Sequence, residues 1–229
     1  MRTALKDIGQ NGSHAGLILA RYLPFATTKE EKDNQKRTVM TYAIDAVKHS
    51  HDTHDIYQSA FDRWKAALKA GKIEAKEFTV DSRMIIGLGS SNVLEAGITL
   101  HQTYGVPYIP GSALKGLTAH YAYENGVSDE HRKWIFGEQD FAGLVQFHDA
   151  WLEPKDVKDC LLQDVMTPHH QDYYGQDKDG NIPPSEFESP VPVPFLAVQG
   201  TFCVALSCED NSEQGKKWLK FVWQLLGGA

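Results

Sequence analysis

The stretch Pro110-Gly111-Ser112-Ala113-Leu114-Lys115-Gly116 holds the residue types that a phosphate site needs. Proline fixes the approach to a helix, glycine permits a tight turn, and Ser112 is placed to cap the first helical turn. The free N–H groups of that turn, the positive end of the helix dipole and the Lys115 ammonium would then face one anion. Gly116 leaves room for another backbone, or an RNA strand, to come close. The plainer alternative is an ordinary capped helix. The pattern has neither GxxxxGK[ST] nor GxGxxG, which excludes a Walker loop and a dinucleotide fingerprint. A second set of donors follows Arg83 in Gly87-Leu88-Gly89-Ser90-Ser91-Asn92, which could equally form a simple turn.

Acid–base or metal chemistry would fall to three histidine groups: His169-His170 with Asp172, His148-Asp149, and His49 with His51 and His54. None shows HExxH spacing or a matched third ligand, so surface or packing histidines are the simpler reading. Cys160, Cys203 and Cys208 are an odd number without CxxC or Cys/His zinc spacing, which argues against a disulfide framework. No catalytic residue, metal or cofactor is assigned.

The elements that must position these residues follow from periodicity. Residues 14–23 read as a short helix ended by Pro24, and 27–37 as a solvated loop or the exposed start of a helix. Val39, Tyr42, Ala43, Ala46 and Val47 recur at helical spacing. So do Ile56, Ala60, Phe61, Trp64, Ala67 and Leu68, with Asp52 or Thr53 as the N-cap and Gly71 as the stop. This predicts an N-terminal helical segment over 1–72. Strands are expected at 75–80, 84–86, 98–101, 143–151, 161–166 and 195–208, and helices from Ser112 to about Glu124 and from 212 to 226. Residues 167–194 are rich in proline and too long for an ordinary connection, which marks an insertion. From residue 73 the order is β, α, β, β, β, α. The fold class is therefore α+β, most of a ferredoxin-like (RRM-like) unit over 73–229 with one terminal strand missing.

The 229 residues carry 23 Lys+Arg against 30 Asp+Glu, a net charge of −7. Residues 1–92 hold 14 and 11, and the remainder 9 and 19, so the acidity lies in the C-terminal part. An acidic chain argues against free-standing, non-specific nucleic-acid binding, but not against a local basic groove. No run approaches ~18 apolar residues, so no membrane partner is expected. The first 15 residues lack an apolar core, so no secretory signal is expected there. The expected location is cytoplasmic, with reduced thiols.

One resemblance is specific. Ile86-Gly87-Leu88-Gly89-Ser90-Ser91-Asn92-Val93-Leu94-Glu95, then Thr99-Leu100-His101, then Tyr104-Gly105-Val106-Pro107-Tyr108-Ile109 running into Pro110–Gly116, resemble the RAMP superfamily of CRISPR effector subunits. Ile135-Phe136-Gly137, Val145–Ala150, Asp164–His169 with Asp172-Tyr173-Tyr174, and Ser189–Leu196 follow in the same succession. Gly16–Leu23 also fits, and the narrower resemblance is to the family of sixth Cmr subunits of type III-B complexes. It implies a RAMP core with an N-terminal helical arm and an insertion at 167–194. The implied function is non-catalytic: a subunit in antiviral defence that binds the 3′ part of the CRISPR RNA and caps a backbone of related subunits. Ser112 and Lys115, framed by Gly111, would contact the guide backbone, with Arg83, Ser90, Ser91 and His101 nearby. Other Cmr/RAMP subunits are the implied protein partners, with target RNA a further one. Tyr173 and Tyr174 would stack on bases, at ~1–3 kcal/mol per base, or pack internally. Family members continue into a glycine-rich loop and a last strand, where this sequence reads Leu226-Gly227-Gly228-Ala229. The implied terminal strand is therefore truncated or supplied by a partner. The alternatives are a metal-dependent RNA endonuclease of the same superfamily and a purely protein-binding scaffold.

Overall fold

A computed structural model describes residues 14–21, 28–89, 94, 96–167, 192–210 and 212–228. Three helices lead: α1 (Ala15–Arg21), α2 (Lys29–His49) and α3 (His51–Ala70). The charged stretch after residue 27 is helix, because Thr28 and Glu31 form a reciprocal capping box at its start. Ser50 then separates two helices; its hydroxyl accepts from the Thr53 N–H at 3.2 Å, so the cap of α3 is Ser50 and neither Asp52 nor Thr53. Gly71 ends α3, as expected from the sequence.

Next come β1 (Glu74–Thr79), β2 (Tyr108–Ile109), α4 (Gly111–Glu124), α5 (Asp129–Phe136), β3 (Gly137–Glu138), β4 (Phe141–Ala142), β5 (Val145–Phe147) and β6 (Ala150–Leu152). A 3-10 turn (Pro154–Asp159), β7 (Leu161–Met166), β8 (Val193–Val198), β9 (Thr201–Cys208) and α6 (Glu213–Leu226) complete the order among the described residues. The expected strands at 84–86 and 98–101 reduce to single bridges, Met84 to Val198 and Leu100 to Pro107. The single strand expected over 195–208 is two, divided at Gly200, whose φ of 125° takes the chain from one sheet to the other. α5 has no counterpart among the expected elements. The insertion expected at 167–194 lies outside the described residues except at its ends. There Val193 and Pro194 pair with Met166 and Val165 as the close of the β7–β8 ladder.

β9 organises the five-stranded sheet. It runs antiparallel to β1 along one edge and to β5 and β6 along the other, and β2 adds beyond β6. β5 and β6 are one strand interrupted by a bulge. Phe147 sits opposite Leu206 and Trp151 opposite Cys203, so three residues on one side face two on the other. The residues between them are His148, Asp149 and Ala150, and the His148 N–H still reaches the Ala205 carbonyl at 3.1 Å.

Helices lie on both faces. On one, Phe78 of β1 stacks with Trp223 of α6 at 6.1 Å, the Lys76 ammonium sits over the same indole at 4.5 Å, and α4 packs beside α6. On the other, Trp151 of β6 stacks against Tyr57 and Trp64 of α3, at 5.8 and 5.4 Å. Lys65 of α3 pairs with the largely buried Glu153 at 2.9 Å. The sheet face that could have offered an open stacking platform is therefore covered by α3 around Trp151. Core residues of α1, α2 and α3 belong to the same apolar cluster as those of the sheet.

Tyr57 is the polar anchor of this contact. Its hydroxyl donates to the Leu152 carbonyl at 2.7 Å, and burial holds the phenol well above its usual pKa, so it stays neutral. Tyr57→Phe is expected to destabilise the fold by about 1–2 kcal/mol, because it leaves a buried carbonyl short of a partner. Denaturant titration checks this; an unchanged midpoint would show that the hydrogen bond contributes nothing net.

Candidate nucleic-acid interface

The structure begins α4 two residues earlier than the Ser112 cap predicts. Pro110 is the capping residue, it makes no side-chain bond, and Gly111 is the first helical residue. Ser112 lies inside the first turn with an exposed side chain. The missing cap comes from elsewhere: the Gly111 N–H donates to the Asp149 carboxylate at 2.8 Å, across a sequence gap of 38 residues. The β5–β6 bulge turns Asp149 towards the helix end, where the dipole and the unpaired N–H favour an anion. That place is thus already held by a carboxylate of the chain.

Gly111 is required by crowding. A methyl built there would overlap the Phe147 carbonyl oxygen and lie 2.8 Å from its carbon and 3.0 Å from that of His148. The start of α4 is pressed on the bulge, and no Cβ fits between them. Gly116 is the opposite case, with nothing within 4 Å of an added methyl. Leu114 and Thr118 face inward, while Ser112, Ala113, Lys115, Gly116 and Leu117 are exposed. Among the described residues Lys115 makes no ion pair or hydrogen bond. The outer face of α4 therefore offers a hydroxyl, a free ammonium and a patch of bare backbone.

The other expected residues scatter. Arg83 pairs with Asp164 of β7 at 2.8 Å, and that hydrogen bond holds the Asp164 carboxyl below its usual pKa. Its charge is engaged at the β7–β8 ladder. His101 belongs to the aromatic cluster beneath α3, with its ring 4.5 Å from Tyr104 and 5.4 Å from Trp151. Burial lowers its pKa, with His14 adding to the effect and Asp149 opposing it, so the imidazole is neutral at pH 7. Ser90 and Ser91 lie outside the described residues, as do Tyr173 and Tyr174. Gly87, with φ 79°, is held against Thr99, whose N–H bonds the Ile86 carbonyl at 2.9 Å.

The histidine groups have structural partners. His54 contacts the Val47 carbonyl at 2.6 Å and His49 the Asp45 carbonyl at 3.2 Å, both at the α2–α3 junction. His148 meets Ser207 across the strands at 2.9 Å, and Ser207 donates to Gln146 at 3.3 Å. Among the described residues no three His, Cys, Asp or Glu side chains gather around a metal-sized space. His169, His170 and Asp172 lie outside those residues. Asp149 is the residue whose part sequence reasoning missed. It stood out only as a neighbour of His148, and no local spacing ties it to Gly111.

A family model described as the RAMP superfamily matches residues 77–227, from within β1 to the end of α6. The chain belongs to the RAMP superfamily. Among named relatives of this RAMP chain, the Cmr6 subunit of the Pyrococcus furiosus CRISPR Cmr system is 27% identical over 243 aligned residues. That alignment covers 79% of this chain and 72% of the relative. The Cmr6 subunit of Saccharolobus solfataricus is 33% identical over 116 residues, covering 48% of this chain and 40% of its own length. A chain in a cryo-EM structure of a type III-B Cmr-beta complex bound to cognate target RNA has the same fold. It superposes with a TM-score of 0.60 at 22% identity, over 96% of this chain and 81% of the other.

Proposed function

We propose that this chain is a non-catalytic, CRISPR RNA-binding subunit of a type III-B effector complex, capping the RAMP backbone near the 3′ end of the guide. The observation that carries the reading is the alignment with a Cmr6 subunit along 79% of this chain, alongside a RAMP match that takes in α4 and all but the start of β1. The succession β1, α4, β5–β6, β9, α6, with β9 between β1 and β6, is read as three strands and two helices of a ferredoxin-like core. The RNA contact is assigned to the outer face of α4, where Ser112 and Lys115 meet the guide backbone and Gly116 allows it to come close. Arg83, Ser90, Ser91 and His101 are assigned secondary places. Arg83 would have to leave Asp164 to meet a phosphate, and a neutral His101 offers a hydrogen bond rather than a charge.

A backbone contact reads charge and shape, so little dependence on guide sequence is expected. Other Cmr/RAMP subunits are the proposed protein partners, and target RNA reaches the chain only through the assembled complex. The test is purification of the tagged chain from its host, with sequencing of the extracted nucleic acid. Repeat-derived CRISPR RNA together with several RAMP proteins is the expected result. A protein that emerges alone and free of RNA would refute the assignment. Incubation of the purified chain with matched target RNA and divalent metal is expected to leave the RNA intact; cleavage that stops on His169→Ala would establish the endonuclease reading instead.

A further inference from the structure

We propose that Asp149 is the positioning residue of the α4 interface: it fixes the start of the helix and keeps phosphate away from that end. The inference rests on the RNA-binding reading of α4. Three observations carry it. The bulge inserts one extra residue in the strand opposite β9, and Asp149 lies in that insertion. Its carboxylate accepts from the Gly111 N–H at 2.8 Å, although α4 has no side-chain cap of its own. The backbone of Phe147 and His148 lies so close to Gly111 that no Cβ fits between, which gives the helix start one seat on the sheet.

Two effects follow from a carboxylate in that place. The first is geometric. Lys115 stands four residues beyond Gly111, about 6 Å along the helix axis, so its position relative to the sheet is set by how firmly the first turn is held. The second is electrostatic. A phosphate entering at the helix end would meet the Asp149 charge, whereas one lying further along the exposed face meets Lys115. Over about 6 Å this repulsion is only partly screened at physiological salt. The sequence pattern placed the anion at the end of α4; with Asp149 there, the RNA backbone runs along the helix face instead.

Two variants separate the effects, each tested as the full chain and in the assembled complex. Asp149→Asn keeps an oxygen acceptor for the Gly111 N–H and removes the charge. Asp149→Ala removes both. Amide hydrogen exchange on the RNA-free chain should show the Gly111–Ala113 amides exchanging about tenfold faster in Asp149→Ala and close to wild type in Asp149→Asn. CRISPR RNA binding by the complex should weaken about three- to tenfold in Asp149→Ala. It should hold or tighten by about two- to fivefold in Asp149→Asn, since a like charge has left the path of the phosphates. Unchanged exchange in Asp149→Ala would overturn the capping role, and equal loss of RNA in both variants would overturn the electrostatic one. Lys115→Ala is the control on the underlying reading. Should it bind RNA as the wild type does, the α4 interface itself is refuted, and the RNA half of this proposal falls with it whatever the amides show.

Discussion

Lys115→Glu is expected to weaken CRISPR RNA binding by the assembled complex by about ten- to a hundredfold. The wild-type ammonium is exposed and, among the described residues, unpaired, so no rearrangement is needed before it meets a phosphate. Reversal removes one attraction and adds one repulsion, each worth about 1 kcal/mol or somewhat more for groups ~4 Å apart near a wet surface. The neutral variant Lys115→Ala should lose less, and its signature is the salt dependence. Each lost phosphate contact lowers the slope of log K against log salt by roughly 0.7–0.9. Titrations between about 50 and 200 mM salt read both numbers. An unchanged slope in both variants would place the RNA on another surface. Stability should move little, because Lys115 makes no contact that the fold needs.

The second large effect concerns stability. Gly111→Ala is expected to destabilise the chain by about 3 kcal/mol, which for a domain of this size lowers Tm by about 6–12 °C. The methyl would collide with backbone atoms of Phe147 and His148, which cannot rotate away as a side chain would, so α4 must lift off the bulge. Gly116→Ala makes the same chemical change on the same helix and should do the opposite. With open space around the new methyl and a gain in helix propensity, it is expected to stabilise by up to about 1 kcal/mol. Thermal unfolding of the two variants side by side checks the pair. Equal shifts of the same sign would mean that the close approach at Gly111 is not what holds the helix in place.

The fate of the Pro110–Gly116 motif shows where sequence reasoning succeeds and where it stops. A proline and glycine before a regular apolar pattern are local signals, and α4 runs to Glu124 as they predict. The spacing of Ile56, Phe61, Trp64 and Leu68 likewise marks α3, because a 3.6-residue repeat is written within one segment. The capping of α4 is different. Ser112 is a good cap by type, but the seat that the bulge provides for Gly111 and the carboxylate of Asp149 decide the matter, and both come from a strand 38 residues away. The cover that α3 lays over Trp151 is non-local in the same sense. Its aromatic residues were visible in the sequence, whereas their partner across the sheet was not. At Gly200 a continuous β-forming run hides a change of sheet, because strand propensity does not record which neighbour a strand pairs with.

The place of β9 at the centre of the sheet has a consequence for how the protein is made. Its partners β1, β5 and β6 all precede it in the chain, and the longest-range pairing it makes joins Glu74 to Leu206. At the pace of translation, on the order of ten seconds separate the emergence of those two residues from the ribosome. Throughout that interval β1 lacks the strand it lies against. The five-stranded sheet therefore closes only once β9 has emerged. A nascent chain stalled before β9 should expose its aromatic residues to proteases and chaperones, and one stalled once α6 has emerged should not.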